Sequence, residues 1–295
     1  MSNADPIALP HATECGPLLR YWRDRRGMSQ LDLSLDAGIS QRHISFIESG
    51  RSVPGRETLL VLMQVLDIPL RERNAVLLSA GYAPLYSEAA WNAQEMSSIQ
   101  RALERILQKH EPYPAVVMDR HWNVLISNDA APRFFNLFVD LQARPQPRNM
   151  LHLLFDPEGM RPHVAEWEKV ASSLIHRVRR EAIGHVLDQQ SRELLDALLA
   201  YPGVRPEWTK EAGDGPASAL PMIPMGFIHG AAVLNYFSMV TTVGAPQSVA
   251  AQELRIECMF PADEATERWH LILFEKSAMQ GDTARTERVR PAGPA

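Results

Sequence analysis

Apolar residues recur every three or four positions through the first 84 residues, and short polar breaks divide this pattern into five segments. Such spacing places the apolar side chains on one face of a helix. We therefore predict five helices over residues 16–84. The first spans Leu18–Arg26, and the last two span Thr58–Leu66 and Leu70–Ala80.

The two middle helices, within residues 28–54, are short and joined by a tight turn. Ser29 and Ser40 each precede an apolar segment, where a serine hydroxyl can accept a hydrogen bond from an otherwise unpaired backbone N–H. Gly38 lies between the helices and can adopt the left-handed conformation that ends the first. Ile44 faces inward on the second helix. This is the layout of a helix-turn-helix DNA-binding motif.

Polar side chains on the outer face of this motif are the candidate DNA contacts. Those at the start of the second helix would reach base edges in the major groove. The loop Ser49–Pro54 is suited to phosphate contact, whereas Arg23, Arg25 and Arg26 either touch phosphates or form a solvated helix end. The predicted DNA-binding residues are Ser29, Gln30, Ser40, Gln41, Arg42, His43, Ser45 and Arg51.

This segment resembles the phage-repressor type of helix-turn-helix, the xenobiotic-response-element family of transcriptional regulators. The matching elements are Ser29-Gln30, Ala37-Gly38-Ile39-Ser40, Ile44-Ser45-Phe46-Ile47-Glu48-Ser49-Gly50-Arg51 and Pro54. The resemblance implies a regulator that binds double-stranded DNA. One such module reads few base pairs, so we expect a homodimer on a pseudopalindromic operator. The alternative is a helical bundle of the same periodicity that does not contact DNA.

The next segment, Ala83–Trp91, is typical of a linker, and an amphipathic helix over Met96–His110 follows it. This helix suits an interdomain or dimer contact, or it simply packs on its own domain. It is also the continuous connection through which a signal between two domains would pass.

The period then shortens to two, which is typical of half-buried strands. Pro114–Met118 and Trp122–Ser127 predict a hairpin, and three later strand candidates lie at Met222–Val243, Glu253–Phe260 and Trp269–Phe274.

Helices are expected between the two groups of strands. The first follows Asn128-Asp129 and carries Phe134–Phe138, and the others span Asn149–Phe155, a long stretch from Pro162, and Ser191–Ala200. Two strands, several helices and three strands form an α+β plan. It is the order of a PAS-like fold, a five-stranded antiparallel sheet with helices over one face.

This second part resembles the ligand-binding domain of MmyB-like (MltR-like) regulators. The matching text is Tyr113–Asp119, Trp122–Leu125, Asn128–Ala131, Arg148–Leu151 and Leu154–Pro157. The resemblance implies a domain that binds fatty-acid-like molecules. Where the family tends to carry a basic strand, this chain has Met225-Gly226-Phe227-Ile228-His229.

A sheet covered by helices often leaves an apolar cavity, which is the usual ligand site. Methionine and aromatic residues are abundant here, and they either line such a cavity or fill the core. The candidate ligand-binding residues are Met118, Phe134, Phe135, Phe138, Trp167, Leu174, Phe227 and Tyr236.

Charge and motif content change this interpretation little. Residues 16–84 hold nine arginines and seven acidic residues, a net charge of +2 within a chain of −5, so only a local patch would attract DNA. The two cysteines, Cys15 and Cys258, form no disulfide framework or metal site. Signal-peptide and membrane-spanning patterns are missing, so a cytoplasmic location is expected. No catalytic motif stands out, and neither an enzyme nor a cofactor is predicted beyond an apolar ligand.

The predicted organisation is a flexible N-terminus (1–14), a helix-turn-helix domain (15–84), a linker with an amphipathic helix (85–112), a PAS-like domain (113–277) and a flexible tail (278–295). Two functions remain open. One is a transcription factor that responds to a small apolar effector, and the other is a DNA-binding interaction protein whose second domain dimerises or docks a partner without a ligand.

Overall fold

A computed structural model describes residues 15–184, 189–209, 224–244, 246 and 248–274. The predicted flexible ends, 1–14 and 278–295, lie outside these residues. The chain folds into two compact units, and the main part of the first ends at Ala90.

The first unit contains the five predicted helices. Their apolar faces meet around Trp22, Leu33, Ile44 and Leu62, all almost fully buried. The helices are α1 (Cys15–Arg25), α2 (Gln30–Ala37), α3 (Gln41–Glu48), α4 (Arg56–Val65) and α5 (Leu70–Ser79). This confirms the helical N-terminal domain.

The first unit also includes residues 244–252, which are distant in sequence. They lead into the short helix α11 (Val249–Glu253). The backbone N–H of Val249 donates to the carbonyl of Ser87 at 2.9 Å. The side-chain oxygen of Gln252 accepts from the N–H of Leu70, the first residue of α5, at 2.7 Å. That bond matters because Pro69, which precedes α5, provides no side-chain cap.

Asn74 of α5 holds the segment that was expected to be a linker. Its side chain accepts from the N–H groups of Leu85 and Tyr86 and donates to the carbonyl of Tyr86. Residues 85–87 are therefore part of the first unit by hydrogen bonding.

The second unit is built on a five-stranded antiparallel sheet in the order β2-β1-β5-β4-β3. The strands are β1 (Ala115–Met118), β2 (Val124–Ser127), β3 (Pro224–His229), β4 (Ala232–Thr241) and β5 (Arg255–Pro261). The last strand in sequence lies at the centre, where Cys258 pairs with Ala115 on one side and Met239 on the other. The predicted sheet with helices is confirmed.

Helices of this unit pack on the sheet around Phe134, Phe155, Phe227 and Tyr236. They are α6 (Ser97–Lys109), α7 (Ala130–Phe135), α8 (Met150–Phe155), α9 (Trp167–Gly184), α10 (Gln189–Leu199) and α12 (residues 264–274).

The strand predicted at Trp269–Phe274 is wrong, because this segment belongs to helix α12. Thr266, His270 and Phe274 are all buried, and their four-residue spacing places them on one helix face. Asp263 begins the helix, since its carboxylate accepts from the N–H of Thr266 at 2.8 Å. The sheet still has the five predicted strands, because residues 222–243 contain both β3 and β4.

The long helix expected from Pro162 begins only at Trp167. Val164 instead forms an antiparallel bridge with Phe227, and the N–H of Ala165 donates to the carbonyl of Gly226 at 2.8 Å. A β-carbon at Gly226 would lie 3.1 Å from that of Ala165, a tight contact that would push the two segments slightly apart.

Candidate DNA-binding surface and ligand pocket

The turn between α2 and α3 has the geometry that its sequence predicts. Ser29 and Asp32 form a reciprocal capping box at the start of α2. Gly38 ends α2 in the left-handed conformation, with φ of 65°. The hydroxyl of Ser40 accepts from the N–H of His43 at the start of α3. Two of the predicted DNA-binding residues, Ser29 and Ser40, therefore also fix the ends of the helices.

Of the other predicted contacts, Gln41, Arg42, His43 and Ser45 lie on α3, Arg51 lies just beyond its end, and Gln30 begins α2. Gln41, Arg42 and Arg51 are exposed, and His43 and Ser45 are partly exposed. These side chains are therefore free to contact the major groove of DNA, while Ile44 and Ile47 on the same helix are buried.

Phe46 is a residue of this surface that the sequence pattern did not single out. The guanidinium carbons of Arg42 and Arg51 lie 5.3 and 6.0 Å from the centre of its ring. Such cation–π contacts restrict both side chains. The signal was present in the sequence, since Phe46 lies between two isoleucines on a helix that buries only one face.

Four polar side chains, which we call the Glu48 cluster, join α1, α2 and α3: Arg20, Arg23, Gln30 and Glu48. The Glu48 carboxylate accepts from Arg23 Nε at 2.6 Å and Nη2 at 3.0 Å. It also accepts from Gln30 Nε2 at 2.9 Å and from Arg20 Nε at 3.4 Å. The Glu48 side chain is 1% exposed and that of Arg23 is 11% exposed.

The Glu48 cluster sets the orientation of α3 because it fixes the C-terminal end of that helix against the other two. Burial alone would raise the pKa of Glu48, but hydrogen bonds from Arg23 and Gln30 outweigh it, and the pKa lies below its ordinary value. Glu48 is therefore an anion in the folded domain. Gln30, a predicted DNA contact, donates one side-chain amide N–H to Glu48 in this cluster.

The three arginines near the end of α1 have separate roles. Arg23 is buried in the Glu48 cluster, and Arg26 donates to the carbonyls of Leu66 and Asp67 at the end of α4. Arg25 is exposed and donates to the hydroxyl of Tyr21. Adjacent positions on a helix point in different directions, so sequence proximity did not make them one patch.

The second unit contains a narrow pocket between its sheet and helices α7, α8 and α9, which is partly open to solvent. The strands contribute Val116, Met225 and Met259, among others, and the helices contribute Met150 and Leu154. Its wall is mostly apolar, as in small-molecule sites generally.

Three of the predicted ligand-binding residues, Phe135, Leu174 and Phe227, line this pocket. Phe134 and Tyr236 are fully buried beside it, with ring centres 5.1 Å apart. The other three lie elsewhere: Met118 is buried in the core, Phe138 packs on Phe134, and Trp167 lies under the guanidinium of Arg161.

Four polar residues of the wall were not predicted from the sequence: Trp122, Arg177, Ser238 and Glu257. Trp122 follows β1, Arg177 lies on α9, and the other two lie on β4 and β5. Single polar residues in separate elements form no recognisable pattern in the sequence. They come together only in the folded domain.

A family model described as the MmyB-like transcription regulator ligand binding domain matches residues 99–272, which is more than half of the chain. The chain belongs to the MmyB-like transcription regulators. A second model, described as helix-turn-helix, matches residues 19–73. This MmyB-like regulator is thus a DNA-binding protein with a ligand-binding domain, and both matched families are regulator domains.

Other comparisons add little. No curated protein matches this MmyB-like regulator. A solved structure titled "Structure of an RNA-binding Light-Oxygen-Voltage Receptor" aligns with 88% of the chain and 62% of its own length, at 13% identity and a TM-score of 0.23. The chain therefore spans less than two thirds of that structure, and so low a score carries no argument.

Within the described residues, no helix is long and apolar enough to cross a membrane. The same part of the chain contains no group of three histidine, cysteine or acidic side chains that could hold a metal ion.

The Glu48 cluster predicts a large effect of one substitution. Glu48→Ala should destabilise α3 by about 3–5 kcal/mol, because it leaves the buried guanidinium of Arg23 without its anion. Hydrogen exchange of the α3 amides in the full chain measures this. Asp36→Ala, at an exposed position of α2, should change the value by less than about 0.5 kcal/mol. Equal protection in both variants would contradict the assigned role.

The same measurement has a defined pH dependence. Because the folded pKa of Glu48 is lowered, its contribution is complete above the ordinary value of about 4.5 and is lost as the pH falls toward the folded pKa. Glu48→Gln should flatten this dependence.

Proposed function

We propose that this MmyB-like regulator binds a specific pseudopalindromic operator as a homodimer, and that its second unit senses a small, apolar, fatty-acid-like molecule. The observation that supports the sensor is the open, mostly apolar pocket between the sheet and α7–α9.

Sequence reading is assigned to the start of α3. Gln41 and Arg42 are exposed there, and glutamine can pair with adenine and arginine with guanine, each contributing about 1–3 kcal/mol of discrimination. Arg51 lies beyond the end of α3, where a cation contacts phosphates and carries affinity without base information.

Two copies are needed because one α3 reads only a few base pairs. A two-fold dimer would place its recognition helices about 10 bp apart or at a multiple of this spacing. Helix α6 is the candidate interface. Its Leu103 and Leu107 are buried, while Ala102 and Ile106, four residues apart, form an exposed apolar stripe.

The pocket suits the tail of an amphiphile. Met150, Met225 and Met259 line it, and methionine adapts to irregular apolar shapes. Each buried methylene of a ligand would contribute about 0.8 kcal/mol.

For a bound ligand to change DNA binding, the two units must be connected. The chain provides a second connection in addition to α6. Strands β4 and β5 carry the pocket residues Ser238, Glu257 and Met259. The segment that connects these strands, 244–252, is hydrogen-bonded to Leu70 and Ser87 as part of the DNA-binding unit. A ligand that favours one arrangement of the two strands therefore acts on the chain that caps α5.

An interaction protein without a ligand remains the competing function. It would leave the pocket unused and assign the second unit to dimerisation or partner docking. The apolar lining favours the sensor, since a docking domain has no need of an internal space.

The DNA-reading proposal predicts different effects for two arginines. Arg42→Ala should weaken binding to a selected operator by about 5- to 150-fold and leave binding to a scrambled duplex nearly unchanged. Arg51→Ala should weaken both similarly. Fluorescence anisotropy at fixed salt measures these affinities, with Arg105→Ala on the exposed face of α6 as control. Equal losses on both duplexes for Arg42→Ala would refute its role in base reading.

The assembly proposal predicts a mass of two chains by light scattering, in solution or on an operator of two half-sites. Ile106→Glu should shift the free protein toward the monomer, because it buries a charge in the proposed interface. Gln108→Glu, exposed on the other side of α6 from Ile106, adds the same single charge outside the stripe and serves as the control. A single chain in both states would exclude the dimer.

The sensor proposal predicts that some ten- to fourteen-carbon acid, alcohol or amide raises the melting temperature of the full chain and changes its operator affinity. Leu174→Trp should fill the pocket and weaken ligand binding at least tenfold, whereas Leu271→Trp, at an exposed position of α12, should not. Gln252→Ala should retain ligand stabilisation but reduce the change in operator affinity. Failure of every compound to stabilise the protein would favour the docking function.

A further inference from the structure

The pocket wall contains a buried hydrogen-bond donor whose acceptor is missing from the protein. Trp122 is 2% exposed and lines the pocket. Its indole Nε1–H has no acceptor in the described part of the chain. Buried donors are nearly always satisfied, and an exception at a binding site points to a group that the ligand supplies.

The indole projects from a constrained turn and lies near two guanidinium groups. Trp122 has a φ of +67°, a strained conformation for a residue with a side chain. The turn is maintained by Asp119, whose carboxylate accepts from the N–H groups of His121 and Asn123. The guanidinium carbons of Arg177 and Arg255 lie 4.9 and 5.5 Å from the ring centre. Strain of this kind persists only where the surroundings enforce it, and often at ligand sites.

Two opposite charges line the same pocket, Arg177 from α9 and Glu257 from β5, and Ser238 of β4 adds a hydroxyl to the wall. Glu257 is buried. A carboxylate head group could accept from Trp122 but would bring a second negative charge beside the buried Glu257. An ammonium head group cannot accept from Trp122 and would bring a second positive charge beside Arg177. A neutral group that both accepts and donates hydrogen bonds faces neither penalty.

We propose that the pocket selects an amphiphile with an uncharged amide head, an acyl amide, over the free fatty acid of the same length. The amide carbonyl accepts from Trp122 Nε1–H, and the amide N–H donates to the Glu257 carboxylate. The acyl chain lies against the methionine and phenylalanine side chains of the wall. This inference rests on the proposed sensor function and specifies its ligand class.

Three probes with ten-carbon acyl chains separate the parts of this proposal. Isothermal titration calorimetry of the full chain with decanamide, decanoate and N,N-dimethyldecanamide compares a head that accepts and donates, one that is charged, and one that only accepts. Decanamide should bind at least tenfold more tightly than decanoate. The dimethyl compound should bind about three- to tenfold more weakly than decanamide, because it has no N–H for Glu257.

Two variants assign these differences to residues. Trp122→Phe keeps an aromatic ring but removes the N–H, and it should weaken decanamide binding about three- to tenfold. Glu257→Gln removes the charge that opposes a carboxylate, so the preference for decanamide over decanoate should collapse. Trp269→Phe, outside the pocket wall, should leave the preference unchanged.

A measurement on the unaltered protein guards against variants that fold poorly. With ¹⁵N-labelled indole nitrogens, the Trp122 resonance should move on adding decanamide, as expected for a newly formed hydrogen bond.

Decanoate binding more tightly than decanamide, with the ratio unchanged in Glu257→Gln, would overturn the proposed head group and leave the sensor intact. An unmoved Trp122 resonance at saturating decanamide would also overturn it. If none of the three compounds bound, while longer amphiphiles also failed to stabilise the chain, the sensor function itself would fall.

Discussion

The carboxylate of Glu48 is the point on which the DNA-binding unit depends. It is buried at the end of α3 and receives hydrogen bonds from α1 and α2. A buried ion pair of this kind adds less stability than its Coulomb attraction suggests, because both ions lose their hydration. What it does provide is geometric definition, since a bidentate pair between arginine and carboxylate tolerates little rotation. The exposed face of α3 is presented in one orientation as a result.

The ligand-binding unit has a comparable constraint in β5. This strand is the last in sequence but lies at the centre of the sheet, between β1 and β4. It therefore joins the N-terminal hairpin to the C-terminal one and carries two residues of the pocket wall, Glu257 and Met259. The shape of the pocket follows from the register of β5 with both neighbours, since a slip of one residue would reverse which side chains face it.

Much of this architecture could be predicted from local signals. Serine caps, Gly38 and the isoleucine spacing of α3 define the helix-turn-helix, because each acts within a few residues. The predictions failed where tertiary contacts decide. Trp269–Phe274 is apolar enough for either a strand or a helix, and the burial of Thr266, His270 and Phe274 on one face selects the helix. Arg23 was assigned to solvent or phosphate because its partner, Glu48, lies 25 residues away.

The polar wall of the pocket could not be predicted for the same reason. Trp122, Arg177 and Glu257 come from three parts of the chain and share no spacing. Of the apolar candidates, Phe135, Leu174 and Phe227 reach the wall, whereas Met118 and Phe138 serve the core. Residue type distinguishes a core from a surface, but it does not distinguish a core from the lining of a cavity within it.

The bond between Gln252 and Leu70 has a consequence for how the chain is made. It joins residues 182 positions apart, so the DNA-binding unit is not a continuous stretch of sequence. During synthesis the five N-terminal helices emerge long before the residue that caps α5. The unit therefore acquires its last hydrogen bonds only after most of the sheet has been translated. A DNA-binding unit exchanged between relatives would have to include the segment that connects β4 and β5.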